Sequence, residues 1–199
     1  NIQSSNAAFC NYNDGSNPPI CEMVCPHTAV SYFAEVPVNC AAPPPNFQGA
    51  TWTVNGAESY TVQPDGKEVR VVWGEAGPGL ISLSSANPDV CFESSRCITI
   101  VEAPEANFST APGGNPLQLC KGQTVSFKNE SLNAEQFEWL FSDNLLSLSE
   151  DNPQHTFQTP GHYTVTLIAR SNCLCADTMI LAVEVLDSEP PLLDCVGSV

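Results

Sequence analysis

Apolar residues along this chain recur at every second position, in short runs bounded by Gly, Pro, Asn and Asp. That spacing is the mark of strands with one face turned to a core, and helical spacing is nearly absent. The clearest runs are "VSYFAEV" (30–36), "EVRVVW" (68–73), "LISLSS" (80–85), "CITIVE" (97–102), "TVSFKN" (124–129), "YTVTLIAR" (163–170) and "MILAVEVL" (179–186). "QPDGKE" (63–68) has the Pro-Asp-Gly order of a turn between two strands. The pattern predicts an all-β protein built of sandwiches.

A repeat underlies the alternation. "CPHTAVSYF" (25–33) aligns with "CKGQTVSFK" (120–128), and Trp52 in "ATWTVNG" with Trp139 in "FEWLFSDN". Each copy goes on to a strand pair, "VRVVWGEAGPGLISL" or "HTFQTPGHYTVTLIA", then a Cys (Cys91 or Cys175) and a last apolar strand. The first copy is longer, with room for a stiff insertion around "NCAAPPPN" (39–46). The expected organisation is an N-terminal Cys-bearing segment over 1–24 and sandwiches over 25–103 and 104–187. A linker or tail follows at 188–199. The Pro-, Ala- and Gly-rich stretch 102–116 reads as the joint between the sandwiches.

In "HYTVTLIAR" alternation turns Tyr163, Val165, Leu167 and Ala169 to one face. Thr164, Thr166 and Arg170 turn to the other, with Ile168 the exception. Pro160 and Gly161 turn the chain into this strand. Trp139 and Phe141 are expected to meet its apolar face from the opposite sheet.

Charge narrows the partners. The 199 residues carry 22 acids against 6 bases, a net charge of -16. Such a surface repels nucleic acid and anionic membranes and attracts cations. No run approaches the length of a membrane-spanning helix. Ten cysteines with no paired CxxC motifs point to disulfides in an oxidising compartment. The chain starts at Asn1, as a mature exported product or an excised fragment would.

The residues "SFKNES" (126–131), "FEWLFSDN" (137–144), "NPQHTFQTPGHYTVTLIA" (152–169) and "CADT" (175–178) give the second copy a resemblance to the PKD (polycystic kidney disease) domain. The first copy resembles the looser PKD-like variety, keeping the Cys, the Trp strand and the later strand pair. Ser142 and Asn144 stand where that family usually has Gly, which puts the width of that turn in doubt. The resemblance implies tandem immunoglobulin-like sandwiches. It also implies a secreted or cell-surface protein of gliding, type IX-secreting bacteria, where such modules are spacers, adhesion elements or neighbours of a hydrolase.

Candidate chemistry is sparse. The chain has neither a G-x-S-x-G elbow nor an HExxH motif, and no enzymatic activity is expected. His155 is expected to fix a loop by a hydrogen bond and His162 to face solvent. No cofactor is expected. Calcium has two weak candidates, "NYNDGSN" (11–17) and Asp143 with "SEDN" (149–152). The equivalent places of the cysteines in the two copies favour Cys25–Cys91 and Cys120–Cys175. Cys40–Cys97, Cys10–Cys21 and Cys173–Cys195 complete one set among many. The sequons at Asn107 and Asn129 read as incidental. Thr178, in "DTM", resembles an acceptor for bacterial O-glycans.

These features predict a stiff, disulfide-locked spacer or adhesion unit. Its expected partners are a surface protein, a glycan met by Tyr12, Phe47, Tyr60 or Phe92, or copies of itself. The rival readings are a self-assembling fibre subunit docking through residues 1–24, and an accessory region of a secreted hydrolase.

Overall fold

The computed structural model describes residues 2–4, 21–35, 50–85, 94–143, 146–148, 150–173 and 175–187. The chain divides into two units, Asn1–Ala103 and Pro104–Val199. Every regular element among the described residues is a strand. In the first unit these are β1 (Ile2–Ser4), β2 (Glu22–Val24), β3 (Ala29–Ala34), β4 (Ala50–Asn55), β5 (Ala57–Val62), β6 (Glu68–Trp73), β7 (Gly77–Ser85) and β8 (Ser94–Ile100). The second has β9 (Phe108–Ala111), β10 (Leu117–Cys120), β11 (Thr124–Asn129), β12 (Gln136–Phe141), β13 (Leu146–Leu148), β14 (Gln154–Thr156), β15 (Gly161–Arg170) and β16 (Ala176–Leu186).

The first unit packs the sheet β1-β3-β6-β5 on the sheet β2-β8-β7-β4. The second packs β14-β11-β9 on β10-β16-β15-β12-β13. Both are immunoglobulin-like sandwiches, and the repeat read from the sequence reappears as topology. β4-β7-β8-β2 matches β12-β15-β16-β10, with the last pair parallel in each case. Trp52 sits opposite Leu83, as Trp139 sits opposite Leu167. β3 and β11 share one burial pattern, with Val30 and Tyr32 inward in the first and Val125 and Phe127 in the second.

Each core lies between its sheets. In the first unit Trp73 and Tyr32 are fully buried, edge to face at 6.0 Å, and the indole N–H donates to the Tyr32 hydroxyl at 3.1 Å. That bond satisfies two polar atoms that burial would otherwise leave costly. Burial also pushes the Tyr32 hydroxyl well above the ordinary phenol range. In the second unit Phe108, Phe127, Trp139 and Phe141 form an aromatic wedge with centroids 5.0–6.0 Å apart. Each such side chain contributes roughly 1.5–3 kcal/mol by leaving water.

Three expectations need correcting. Trp139 and Phe141 lie in the same sheet as β15, one strand over, because β12 hydrogen-bonds beside it. The facing sheet instead supplies Phe108, Val125 and Phe127. The stretch 102–116 is more than a joint: Phe108–Ala111 pairs with β11 and buries Phe108 in the second core. Residues 2–4 and 22–24, assigned to a separate segment, are strands of the first sandwich. Both are edge strands, β1 beside β3 and β2 beside β8, each paired on one side.

The turn at 63–68 forms as expected, with Gly66 at φ 71° and the Gln63 N–H donating to Glu68 O. A second positive φ, 82°, belongs to Gly56 between β4 and β5. A Cβ there would lie 2.8 Å from Pro78 O and 3.1 Å from Gly79 Cα, whereas one at Gly122 (φ 80°) would meet nothing within 4 Å. Gly122→Ala should therefore cost only the left-handed backbone term, about 1–2 kcal/mol. Gly56→Ala should cost clearly more, and equal losses in urea unfolding would show that the Pro78 contact is unimportant.

Candidate functional site

Strands β2 and β8 run side by side in parallel, Glu22 opposite Ile98. This register puts Cys21, just before β2, against Cys97 in β8, and the two are joined with a Cα–Cα distance of 4.6 Å. The expected pairs Cys10–Cys21 and Cys40–Cys97 are thereby replaced. Sequence alone gave no sign that β2 joins the sheet, since "EMV" is too short to show alternation. Beside the disulfide, Arg96 Nη1 pairs with Glu22 Oε1. Both side chains are largely withdrawn from water, and burial pulls the Arg96 guanidinium below its ordinary value. Glu22 Oε2 is buried with no hydrogen-bond partner among the described residues. A covalent bond and an ion pair thus tie together the strands that begin and end the second sheet.

Cys25, Cys120 and Cys175 are each disulfide-bonded, and Cys173 is buried. Cys10, Cys40, Cys91 and Cys195 lie outside the described residues. Closing a loop of 76 residues between Cys21 and Cys97 stabilises a fold by about 4 kcal/mol in the chain-entropy account.

His155 is a structural residue. Its Nε2 lies 2.8 Å from Asp143 Oδ2, and its ring stacks on Phe141 at 4.2 Å and meets Phe157 edge-on at 4.7 Å. The pair pins the turn after β12 to β14. Ser142 has its own task there: its N–H donates to Thr164 O, and its Oγ accepts the Thr164 N–H at 2.8 Å. Those two bonds continue the β12–β15 ladder where the family usually has Gly. Asn144 lies outside the described residues. His162 is exposed.

Sequence reading missed Tyr163 as a corner. Its hydroxyl donates to Thr159 O at 3.1 Å and meets Thr159 Oγ1 at 2.7 Å, tying the start of β15 to the preceding loop. A Tyr just after Pro-Gly at a strand start was the available signal.

Among the described residues the calcium candidates Asp143, Glu150 and Asp151 do not form a common cluster. Asp143 is engaged by His155, Glu150 and Asp151 are exposed, and "NYNDGSN" lies outside the described residues. Among the described residues no three His, Cys, Asp or Glu cluster around a common point. Thr178 is exposed on β16, next to Asp177, whose carboxylate accepts the Ala106 N–H at 2.8 Å. Of the aromatic candidates for glycan contact, Tyr60 is 47% exposed on β5, and Tyr12, Phe47 and Phe92 lie outside the described residues. Phe33, which the sequence reading left inside a strand, is exposed on the outer sheet face.

A family model for the PKD domain matches residues 102–185, spanning β9 to β16 short of its last residue. Similar solved structures include the PKD1 domain of the Vibrio cholerae metalloprotease PrtV. It is 25% identical over 42% of this chain and 96% of that one, with a TM-score of 0.35. The PKD1 domain of Vibrio anguillarum Epp is 27% identical over 42% of this chain and 94% of that one, at 0.34. A C-terminal 282-residue fragment of intimin, in complex with the intimin-binding domain of its translocated receptor, is 16% identical. It covers 77% of this chain, which spans 57% of that fragment, at a TM-score of 0.51, a likeness of fold. No curated protein matches the chain in sequence.

If Asp143 and His155 act as one unit, Asp143→Ala and His155→Ala should each lower the stability of the second unit by about 1–3 kcal/mol. The double variant should lose little more than either single one. Fully additive losses in urea unfolding would show that the two side chains act independently.

Proposed function

We propose that the chain is a non-catalytic, load-bearing spacer outside the cell, made of disulfide-locked immunoglobulin-like sandwiches that hold a functional surface away from its anchor. The observation that carries this reading is the Cys21–Cys97 bond between the parallel strands β2 and β8. Tension entering at residue 21 and leaving after residue 97 passes through the S–S bond. The intervening chain, which holds β3 to β7, is then bypassed by the load.

Parallel pairing adds a second safeguard. Pulling such strands from opposite ends loads their hydrogen bonds together, in shear, rather than one after another. The second unit has the same geometry, with Leu117 to Cys120 alongside Val183 to Leu186 in parallel. Disulfides also favour an oxidising compartment, in keeping with a place outside the cell.

Single-molecule extension through the two chain ends tests the proposal. With disulfides intact, unfolding of the first unit should release only residues outside the Cys21–Cys97 loop. In a background with Cys25→Ser, Cys40→Ser and Cys91→Ser, adding Cys21→Ser with Cys97→Ser should lengthen the extension by about 250 Å, at roughly 3.4 Å per residue. Equal extension of the two forms at equal force would overturn the load-bearing reading.

A further inference from the structure

The outer face of the sheet β1-β3-β6-β5 carries an aromatic ring that the core does not need. Alternation along β3 turns Val30 and Tyr32 inward, so Phe33 points out and is 38% exposed. A single exposed ring is ordinary. This one lines an open groove of about 510 Å³ with Gln63, Pro64, Asp65, Lys67 and Glu68, a volume in the range of small-ligand sites. Glu68 stands directly across from Phe33 on β6, and Gln3 directly across on β1.

The groove is held rigid from several sides. The Gln63 N–H donates to Glu68 O, the Gly66 N–H to Gln63 O, and the Lys67 N–H to Asp65 Oδ1 at 3.0 Å. The Ala34 N–H donates to Lys67 O, which ties the turn to the end of β3. From the other sheet the Trp52 indole N–H donates to Gly66 O at 2.9 Å. A site fixed in advance loses little entropy when it binds.

Its chemistry selects a ligand class. Phe33 and Pro64 give an apolar floor. Asp65 and Glu68 accept hydrogen bonds, the Lys67 ammonium donates, and the Gln63 amide does both. A pyranose has an apolar C–H face and a rim of hydroxyls that both donate and accept. Anionic ligands are disfavoured, since Asp65 and Glu68 outnumber Lys67 and the whole chain carries -16. Strand addition by a peptide is closed off here. β3 is already paired with β1 and β6, and β6 with β3 and β5.

The geometry points to a binding site for a neutral oligosaccharide on this face, with one sugar ring stacked on Phe33 and its hydroxyls bonded to Gln63, Asp65, Lys67 and Glu68. The site is independent of the load path through Cys21 and Cys97.

Titration of the isotope-labelled full chain, followed by NMR, tests it. The probes are neutral hexaoses of glucose, mannose, xylose and N-acetylglucosamine at millimolar concentration. At least one should shift the amide signals of Phe33, Lys67 and Glu68. Phe33→Ala should weaken that binding by about tenfold or more, and Glu68→Gln by less. Because Phe33 lies outside the core, Phe33→Ala should leave the melting temperature nearly unchanged, separating lost binding from lost folding. Three results would each overturn the proposal: groove signals unmoved by every probe, binding unaffected by Phe33→Ala, or the same signals moved only by a basic peptide.

Discussion

In each unit one sheet is closed by a parallel pair, β2 with β8 and β10 with β16, and every other strand pairing among the described residues is antiparallel. Neighbouring parallel strands need a long crossover, because no tight turn can reverse the chain twice. Here the crossover is the rest of the sandwich. The chain enters that sheet at one pole, through β2 or β10, and leaves it at the other, through β8 or β16. The same adjacency brings Cys21 to Cys97 and Glu22 to Arg96. The covalent bond, the ion pair and the through-path for tension are consequences of one strand pairing.

The two cores solve the shared topology with different side chains. The first uses a polar link inside the aromatic layer, the Trp73 N–H on the Tyr32 hydroxyl. The second puts Phe127 at the place of Tyr32, so no hydroxyl is available there. Its Trp139 Nε1 is buried without a partner among the described residues. The polar contact of the second unit moves instead to its rim, where His155 and Asp143 meet between Phe141 and Phe157. A rim pair orders a turn, whereas a central pair fixes how two sheets seat on one another. That difference fits a second unit whose wedge of four aromatic rings already sets the sheet spacing.

How much the sequence showed depended on strand length. β6 and β11 occupy the very residues whose alternation predicts them, because six residues give three inward positions to count. Three-residue strands such as β1, β2 and β14 show no period, and β9 hides in a Pro- and Gly-rich stretch with one large apolar residue, Phe108. Missing β2 meant missing Cys21–Cys97, since disulfide pairing follows register and register follows strand assignment. His155 was legible because its neighbours form a motif. Phe33 was not, because a Phe beside a Tyr in a strand names neither face until Tyr32 is known to be the buried one.

The acidity of the chain and the position of its exposed ring bear on the same question. A protein with few bases gains little from electrostatic steering toward anionic partners, so specific contact must come from shape, stacking and neutral hydrogen bonds. Those are the resources of the groove on the outer face of the first sheet. Its backbone groups are consumed by the ladder on both sides, leaving side chains as the means of recognition. The proposed load path and the proposed binding site thus fall on different sheets of one sandwich: Cys21–Cys97 joins β2 and β8, while Phe33 and its polar neighbours lie on β3, β6 and the turn before β6. Side chains on the outer face can be altered residue by residue without touching β2 and β8.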